Sequence, residues 1–129
     1  MPVTVKWYDN HQNIIVIAFE GHWNWGQFQA ANDEAGAWAV QKSYLVDAIL
    51  DFEHASSLIP EDVISTGSEV ARLGEQLPNQ GITVVVSMSS WVQAIVQAII
   101  SVARARNLTT ARTYSDALRL IEDARQKRL

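Results

Sequence analysis

The stretch Ile82-Thr-Val-Val-Val-Ser-Met-Ser-Ser-Trp-Val-Gln-Ala-Ile-Val-Gln-Ala-Ile-Ile-Ser-Val-Ala103 decides the fold. Its first part, Ile82–Met88, is a short run rich in β-branched residues, which predicts a strand. Its second part, Trp91–Ala103, repeats apolar residues at spacings of three and four, which predicts a helix. A strand that leads directly into a longer helix is the repeating unit of α/β proteins.

The same unit recurs on both sides of this stretch, and two strands in succession open the chain. The predicted strands are Val3–Tyr8, Ile14–Glu20, Leu45–Phe52, Ile82–Met88 and Thr109–Tyr114. The polar turn between the first two strands predicts an antiparallel hairpin. The resulting order, β-β-α-β-α-β-α-β-α, predicts a single α/β domain over residues 1–129, built on a five-stranded mixed sheet.

Composition excludes several classes of protein. The chain has 129 residues, of which 48% are apolar and 19% charged, as in an ordinary globular domain. It has no cysteine, so disulfides and thiolate chemistry are impossible. Lys6 and Asp9 interrupt the N-terminal apolar stretch, so we expect no signal peptide and a cytoplasmic protein. Ile82–Ala103 changes from strand to helix period, so we do not expect a transmembrane helix.

Charge is distributed unevenly along the chain. The net charge is −4, yet residues 104–129 carry seven basic and three acidic side chains, a balance of +4. Either this basic end steers a partner or favours head-to-tail contact, or, as we favour, it is the solvated face of a final helix. The acidic remainder, together with the lack of aromatic residues among the basic ones, argues against nucleic-acid binding.

Local signals predict where the helices begin and end. Asn24 with Gln27 forms a capping box for the first helix. Ser90 is predicted to cap the third helix and Ser115 the last, whose final residues, Arg125–Arg128, we expect to fray.

Glycines and apolar residues predict how the second and third helices pack. Gly67 and Gly74 fall on one stripe of the second helix, which favours a close approach of its backbone to the sheet. The Trp91–Ala103 helix is apolar around most of its circumference. Either a neighbouring helix covers the excess or this helix forms a homodimer interface.

A candidate site follows from the strand ends. Carboxyl ends of parallel neighbouring strands meet at one edge of a sheet, where α/β proteins bind ligands. The segments Glu20–Trp25, Asp51–Ser57 and Ser87–Trp91 should therefore converge, and they are rich in polar groups and tryptophan. The candidate partner-binding or ligand-binding residues on this edge and at the start of the second helix are Trp23, Asp51, His54, Ser56, Ser57, Glu61, Asp62, Ser89 and Trp91.

Catalytic motifs are weak in this sequence. His22 and His54 with nearby acids match no compact spacing of metal ligands. No G-x-S-x-G turn presents a serine nucleophile, and no Gly-rich phosphate loop follows a strand. A hydrolase or metal enzyme that uses these two histidines is the least favoured alternative, and we expect a protein without enzymatic activity and without a cofactor.

Two segments carry a resemblance to a known family. Ala48–Phe52 is similar to the apolar strand ending in Asp, and Thr113–Ile121 to the closing strand, cap and helix, of the sulfate-transporter and anti-sigma-factor-antagonist (STAS) family. The resemblance covers nearly the whole chain and implies the same element order. Regulatory members carry a phosphorylated Ser or Thr at the start of the second helix, where this chain has Pro60 and Glu61 instead.

Two functions follow as hypotheses. The STAS resemblance implies a non-enzymatic regulatory or protein-interaction domain, as in bacterial signalling, with a protein partner. The alternative, which STAS-like relatives that bind apolar ligands also imply, is a small-molecule or lipid-binding protein. Its pocket would be lined by tryptophan at the carboxyl ends of the strands.

Overall fold

A computed structural model describes residues 2–56, 62–74 and 79–128 of the chain. Its strands and helices alternate in the predicted order. The strands are β1 (Val3–Trp7), β2 (Ile14–Gly21), β3 (Val46–Ala55), β4 (Gln80–Val86) and β5 (Leu108–Ala111). The helices are α1 (Trp25–Val40), α2 (Val63–Gly74), α3 (Ser90–Ala103) and α4 (Tyr114–Arg128).

The five strands form one mixed sheet in the order β1-β2-β3-β4-β5. β1 and β2 pair antiparallel, as the hairpin prediction requires, and the other neighbours pair parallel. The predicted α/β fold with a five-stranded mixed sheet is thus confirmed. The main difference lies in β5, which ends at Ala111, because Tyr114 already belongs to the last helix.

Helices cover the two faces of the sheet unequally. α4 packs on β3, β4 and β5, where its buried residues Ala117 and Ile121 meet the side chains of Ile49 and Val84. On the other face, α1 packs on the hairpin strands and α3 on β5, whereas α2 packs mainly against α3. The middle of this second face therefore lies between helices rather than under one.

Capping residues explain where the first and third helices begin. The Asn24 side chain accepts a hydrogen bond from the Gln27 backbone amide at 2.8 Å, and the Gln27 side-chain oxygen accepts one from the Asn24 backbone amide at 3.0 Å. This confirms the predicted capping box. The prediction for α3 is wrong by one residue: Ser89 is the cap, and its hydroxyl accepts from the Val92 amide at 3.3 Å, while Ser90 is already helical.

The last helix departs from prediction at its start. It begins at Tyr114, and the Thr113 hydroxyl accepts the Asp116 amide at 3.1 Å. Thr113 therefore does the capping that we expected of Ser115.

The C-terminal turn does not fray, because it is anchored to a buried carboxylate. Asp47 is fully buried and accepts hydrogen bonds from Arg125 Nε at 2.9 Å and from both Arg128 Nη atoms at 3.1 Å. The amide of Ile82 donates a further bond at 2.8 Å. Charge-assisted bonds of this kind outweigh the ordinary tendency of a helix end to open.

Gly67 of α2 serves a different contact from the predicted one, whereas a Cβ on Gly74 would lie 3.2 Å from the Gln80 side chain of β4. A Cβ on Gly67 would lie 2.6 Å from Ile99 Cδ1, so this glycine admits a side chain of α3 and not the sheet. Part of the apolar circumference of α3 is thereby covered by its neighbour. Trp91 and Val102 remain 65% and 55% exposed on the same helix.

Among the described residues, no helix combines the length and apolar character needed to cross a membrane.

Candidate functional site

A large cleft opens on the sheet face that carries α1, α2 and α3. Its volume is about 970 Å³. The floor is formed by strands β2, β3 and β4, one wall by α1, and the other wall by α2 and α3. This volume lies at the upper end of the range of small-molecule sites in proteins. We call this space the cleft.

The floor of the cleft is apolar with two hydroxyl groups. Alternate residues of a strand face the same side, so Leu50 and Val85 point into the cleft while Ile49 and Val84 face α4. Thr83 and Ser87, both buried, line the floor along β4. They place neutral hydrogen-bonding groups in an otherwise hydrocarbon surface.

Aromatic rings close the end of the cleft at the carboxyl ends of β2 and β3. Phe19 stacks on Phe52 with ring centroids 4.1 Å apart and an interplanar angle of 7°. Trp23 meets Trp25 edge to face at 5.3 Å. Phe19 is buried, whereas both tryptophans are half-buried and line the cleft. Rings in contact with one another form a rigid apolar wall that a ligand can reach.

Sequence-predicted residues gather at this end of the cleft. The parallel pairing of β2, β3 and β4 brings their carboxyl ends to one edge of the sheet, and Glu20 pairs in register with His54. Five of the predicted residues line the cleft: Trp23, His54, Ser56, Ser89 and Trp91. The expected convergence of the three strand-end segments is therefore observed.

Asp51 does not take part in the cleft. Its carboxylate accepts a hydrogen bond from the Glu53 amide at 2.9 Å. Burial raises the pKa of Tyr114, in α4, to about 12, and the negative charges of Asp51 and Glu53 contribute to the same shift. Asp51 is not among the residues that line the cleft, so its predicted part in partner or ligand binding stays a prediction.

The remaining predicted residues, Ser57, Glu61 and Asp62, precede α2 in the sequence. Asp62 is exposed, has a positive φ of 57°, and precedes α2, where its carbonyl accepts the Thr66 amide at 2.8 Å. Asp62 does not line the cleft. Ser57 and Glu61, like Pro60 beside them, lie outside the described residues.

The two histidines considered for catalysis are both exposed. His22 follows β2 and His54 lies near the end of β3, at the same edge of the sheet. Within residues 2–56, 62–74 and 79–128, no three His, Asp or Glu side chains are grouped so that they could hold a metal ion.

The wall formed by α1 was missed by sequence reasoning. Gln29, Asn32, Gly36 and Val40 line the cleft from this helix. They recur at spacings of three and four beside the buried stripe of Phe28, Ala31 and Ala35, which was the available signal. A polar and small flank next to an apolar stripe usually faces solvent, so this pattern alone does not separate a cleft wall from a surface.

The chain was compared with protein-family models, with curated proteins and with solved structures, and none of the three comparisons found a match.

Proposed function

We propose that this protein binds a small apolar molecule in the cleft and acts as a binding protein. The observation that carries the proposal is an apolar cavity of about 970 Å³ that reaches the central strands of the sheet. Ligand sites are characteristically concave and mostly apolar, with a few polar groups that orient the ligand.

Burial of neighbouring residues on β3 supports this function. Ile49, on the α4 side, is 0% exposed, while the next residue, Leu50, is only half-buried at the cleft floor. Apolar surface in contact with water is unfavourable by about 25 cal/mol per Å². A ligand that covers this floor gains that free energy, which gives the cleft affinity for apolar molecules without any covalent chemistry.

Gly36 offers a direct test because it lines the cleft and faces open space. A Cβ added there would have no heavy atom within 4 Å, and the residue has ordinary helical backbone. Leucine at this position therefore extends into the cleft without strain in α1. Replacing a mid-helix glycine also favours the helix by up to about 1 kcal/mol.

The experiment titrates the protein with N-phenyl-1-naphthylamine, an uncharged fluorescent probe. The wild-type protein should bind it saturably with a dissociation constant on the order of micromolar. Gly36→Leu should weaken binding about tenfold or more while the melting temperature stays equal or rises. Ala37→Leu, on the exposed side of the same helix, is the matched control and should bind as the wild type does.

Two results would contradict the proposal: a wild-type protein that does not bind the probe saturably, or a Gly36→Leu variant that binds it with unchanged affinity.

A second candidate function is a STAS-like protein-interaction domain that forms a homodimer through α3. It is favoured by the exposure of Trp91 and Val102, which are eleven residues and about three turns apart and so lie on one side of the helix. Sedimentation equilibrium at micromolar concentration should then give a dimer, which Val102→Glu dissociates and Ser101→Glu, its exposed neighbour, does not. A strictly monomeric wild-type protein excludes this dimer.

A further inference from the structure

Lysine and arginine are absent from the lining of the cleft. All ten Lys and Arg residues of the chain belong to the described residues, and none of them lines the cleft. Two of them, Arg125 and Arg128, are held on the opposite face of the sheet by Asp47. His54, exposed at the aromatic end, is the one basic side chain in the lining.

Acidic side chains do border the cleft. Asp33 lies on its α1 wall, where its carboxylate accepts the Gln29 amide group at 2.8 Å. Glu53, also exposed, lies at the carboxyl end of β3. The charges nearest to a bound molecule are therefore negative, so they repel an anion and do not oppose a neutral molecule.

Several hydrogen-bonding groups inside the cleft are uncharged. The hydroxyl of Thr83 accepts from the Gln80 side chain at 3.2 Å, and the hydroxyl of Ser87 accepts from the Ser89 amide at 3.1 Å. Asn32 adds a side-chain amide from the α1 wall. Such groups suit a hydroxyl or carbonyl, whereas a carboxylate or phosphate removed from water without a cationic partner is strongly destabilised.

From this distribution of charge we infer that the cleft selects an uncharged apolar molecule bearing a hydroxyl or carbonyl group and rejects fatty carboxylates and phosphate headgroups. The inference rests on the proposed function, since it assigns the ligand class of the same cleft. Selection against anions arises from two features together: the lack of any Lys or Arg in the lining and the acids at its border.

The test displaces N-phenyl-1-naphthylamine with three molecules that share one ten-carbon chain: decan-1-ol, decylammonium and decanoate. Decan-1-ol should displace the probe at the lowest concentration and decanoate at the highest, with the cation between them. The two ions carry equal and opposite charge, so their order reports the electrostatics of the cleft and not merely the hydrophobicity of the chain. Decanoate that binds as tightly as decylammonium overturns the inference.

A gain-of-function variant makes the test sharper. Asn32→Lys places a cation in the wall and should strengthen decanoate binding about tenfold relative to decan-1-ol. Asn10→Lys adds the same charge at an exposed turn that does not line the cleft, and it should change the affinity for neither molecule. Gln29→Lys, nearly one turn earlier on α1, repeats the measurement independently of how well Asn32→Lys folds.

The outcomes separate the two proposals. If the wild-type protein does not bind the uncharged probe, the proposed function fails, and the ligand class fails with it. If the probe binds but decanoate competes as well as decan-1-ol, the proposed function stands and the selection against anions is wrong. An Asn32→Lys variant and a Gln29→Lys variant that both leave decanoate affinity unchanged also overturn the inference.

Discussion

The two faces of this sheet use the same strands for opposite purposes. On the α4 face, Ile49, Val84 and Ala117 are each 0% exposed and Ile121 is 1% exposed. On the other face, Leu50 and Val85, which follow Ile49 and Val84 along their strands, line a cleft of about 970 Å³. Since successive residues of a strand point to opposite sides, a single strand supplies both the packed core and the cleft floor.

The difference teaches that stability and binding are separable in this fold. The α4 face excludes water and holds its one buried carboxylate with four hydrogen bonds, from Ile82, Arg125 and Arg128. The cleft face leaves Leu50 and Phe52 only half-buried. Substitutions on the α4 face should therefore unfold the protein, whereas substitutions on the cleft face should change what it binds.

The largest expected effect on stability comes from Asp47→Ala. This substitution leaves Arg125 and Arg128 close together with no anion between them, and it removes the acceptor of the Ile82 amide. We expect a loss of about 3 kcal/mol in the free energy of unfolding. The loss is no larger because the two arginines are partly exposed and regain some hydration. Urea denaturation measures it.

The control for Asp47→Ala is Asp123→Ala, an exposed acid on α4, which should change the free energy of unfolding by no more than about 0.5 kcal/mol. Equal effects of the two substitutions would show that the buried carboxylate does not anchor α4.

Substitution of two glycines, one on each face of the sheet, should change the free energy of unfolding by intermediate amounts and in opposite directions. A Cβ on Gly81 would collide with Asp47 Oδ1, which is held in place, so Gly81→Ala should destabilise the protein by about 2 kcal/mol. Gly36 faces the open cleft, so Gly36→Ala should stabilise it by about 0.5–1 kcal/mol through helix propensity. Urea denaturation measures the free energy of unfolding of both variants. If the two substitutions change it in the same direction, the account is contradicted.

The smallest effect is a pH dependence at the edge of the α4 face. The pKa of Tyr114 is raised to about 12 from its ordinary value of 10.0, mainly by burial. The unfolded state therefore loses its proton first, and stability falls as pH rises from 10 towards 12, with no contribution below 10.

Comparison with Tyr114→Phe isolates this contribution. The difference in free energy of unfolding between wild type and variant should be constant up to about pH 9 and should move against the wild type above about pH 10. A difference that stays constant through this window would show that Tyr114 ionises equally in both states.

Element order could be predicted from the sequence because it depends on local periodicity. Ile82–Ala103 changes from a β-branched run to a helical repeat within a few residues, and the structure places β4 and α3 there. The convergence of Trp23, His54 and Ser89 followed as well, since parallel strands finish at one edge. Both inferences needed only local patterns and general rules of topology.

Contacts between distant residues could not be predicted in this way. Asp47 lies 78 and 81 positions from Arg125 and Arg128, so nothing local indicated that the C-terminal turn would be anchored. The cleft depends on the position of α2. Gly67 approaches α3 in the structure, but a glycine at this position is equally compatible with the close approach to the sheet that was predicted. One sequence pattern was compatible with both arrangements.

The most direct test of the central claim is an NMR titration of the isotope-labelled protein with decan-1-ol. We predict saturable amide shifts at Gly36, Val85 and other residues of the cleft, with little change at Ala117 and Ile121 behind the sheet. Shifts that fail to saturate, or that are as large on α4 as in the cleft, would contradict the account.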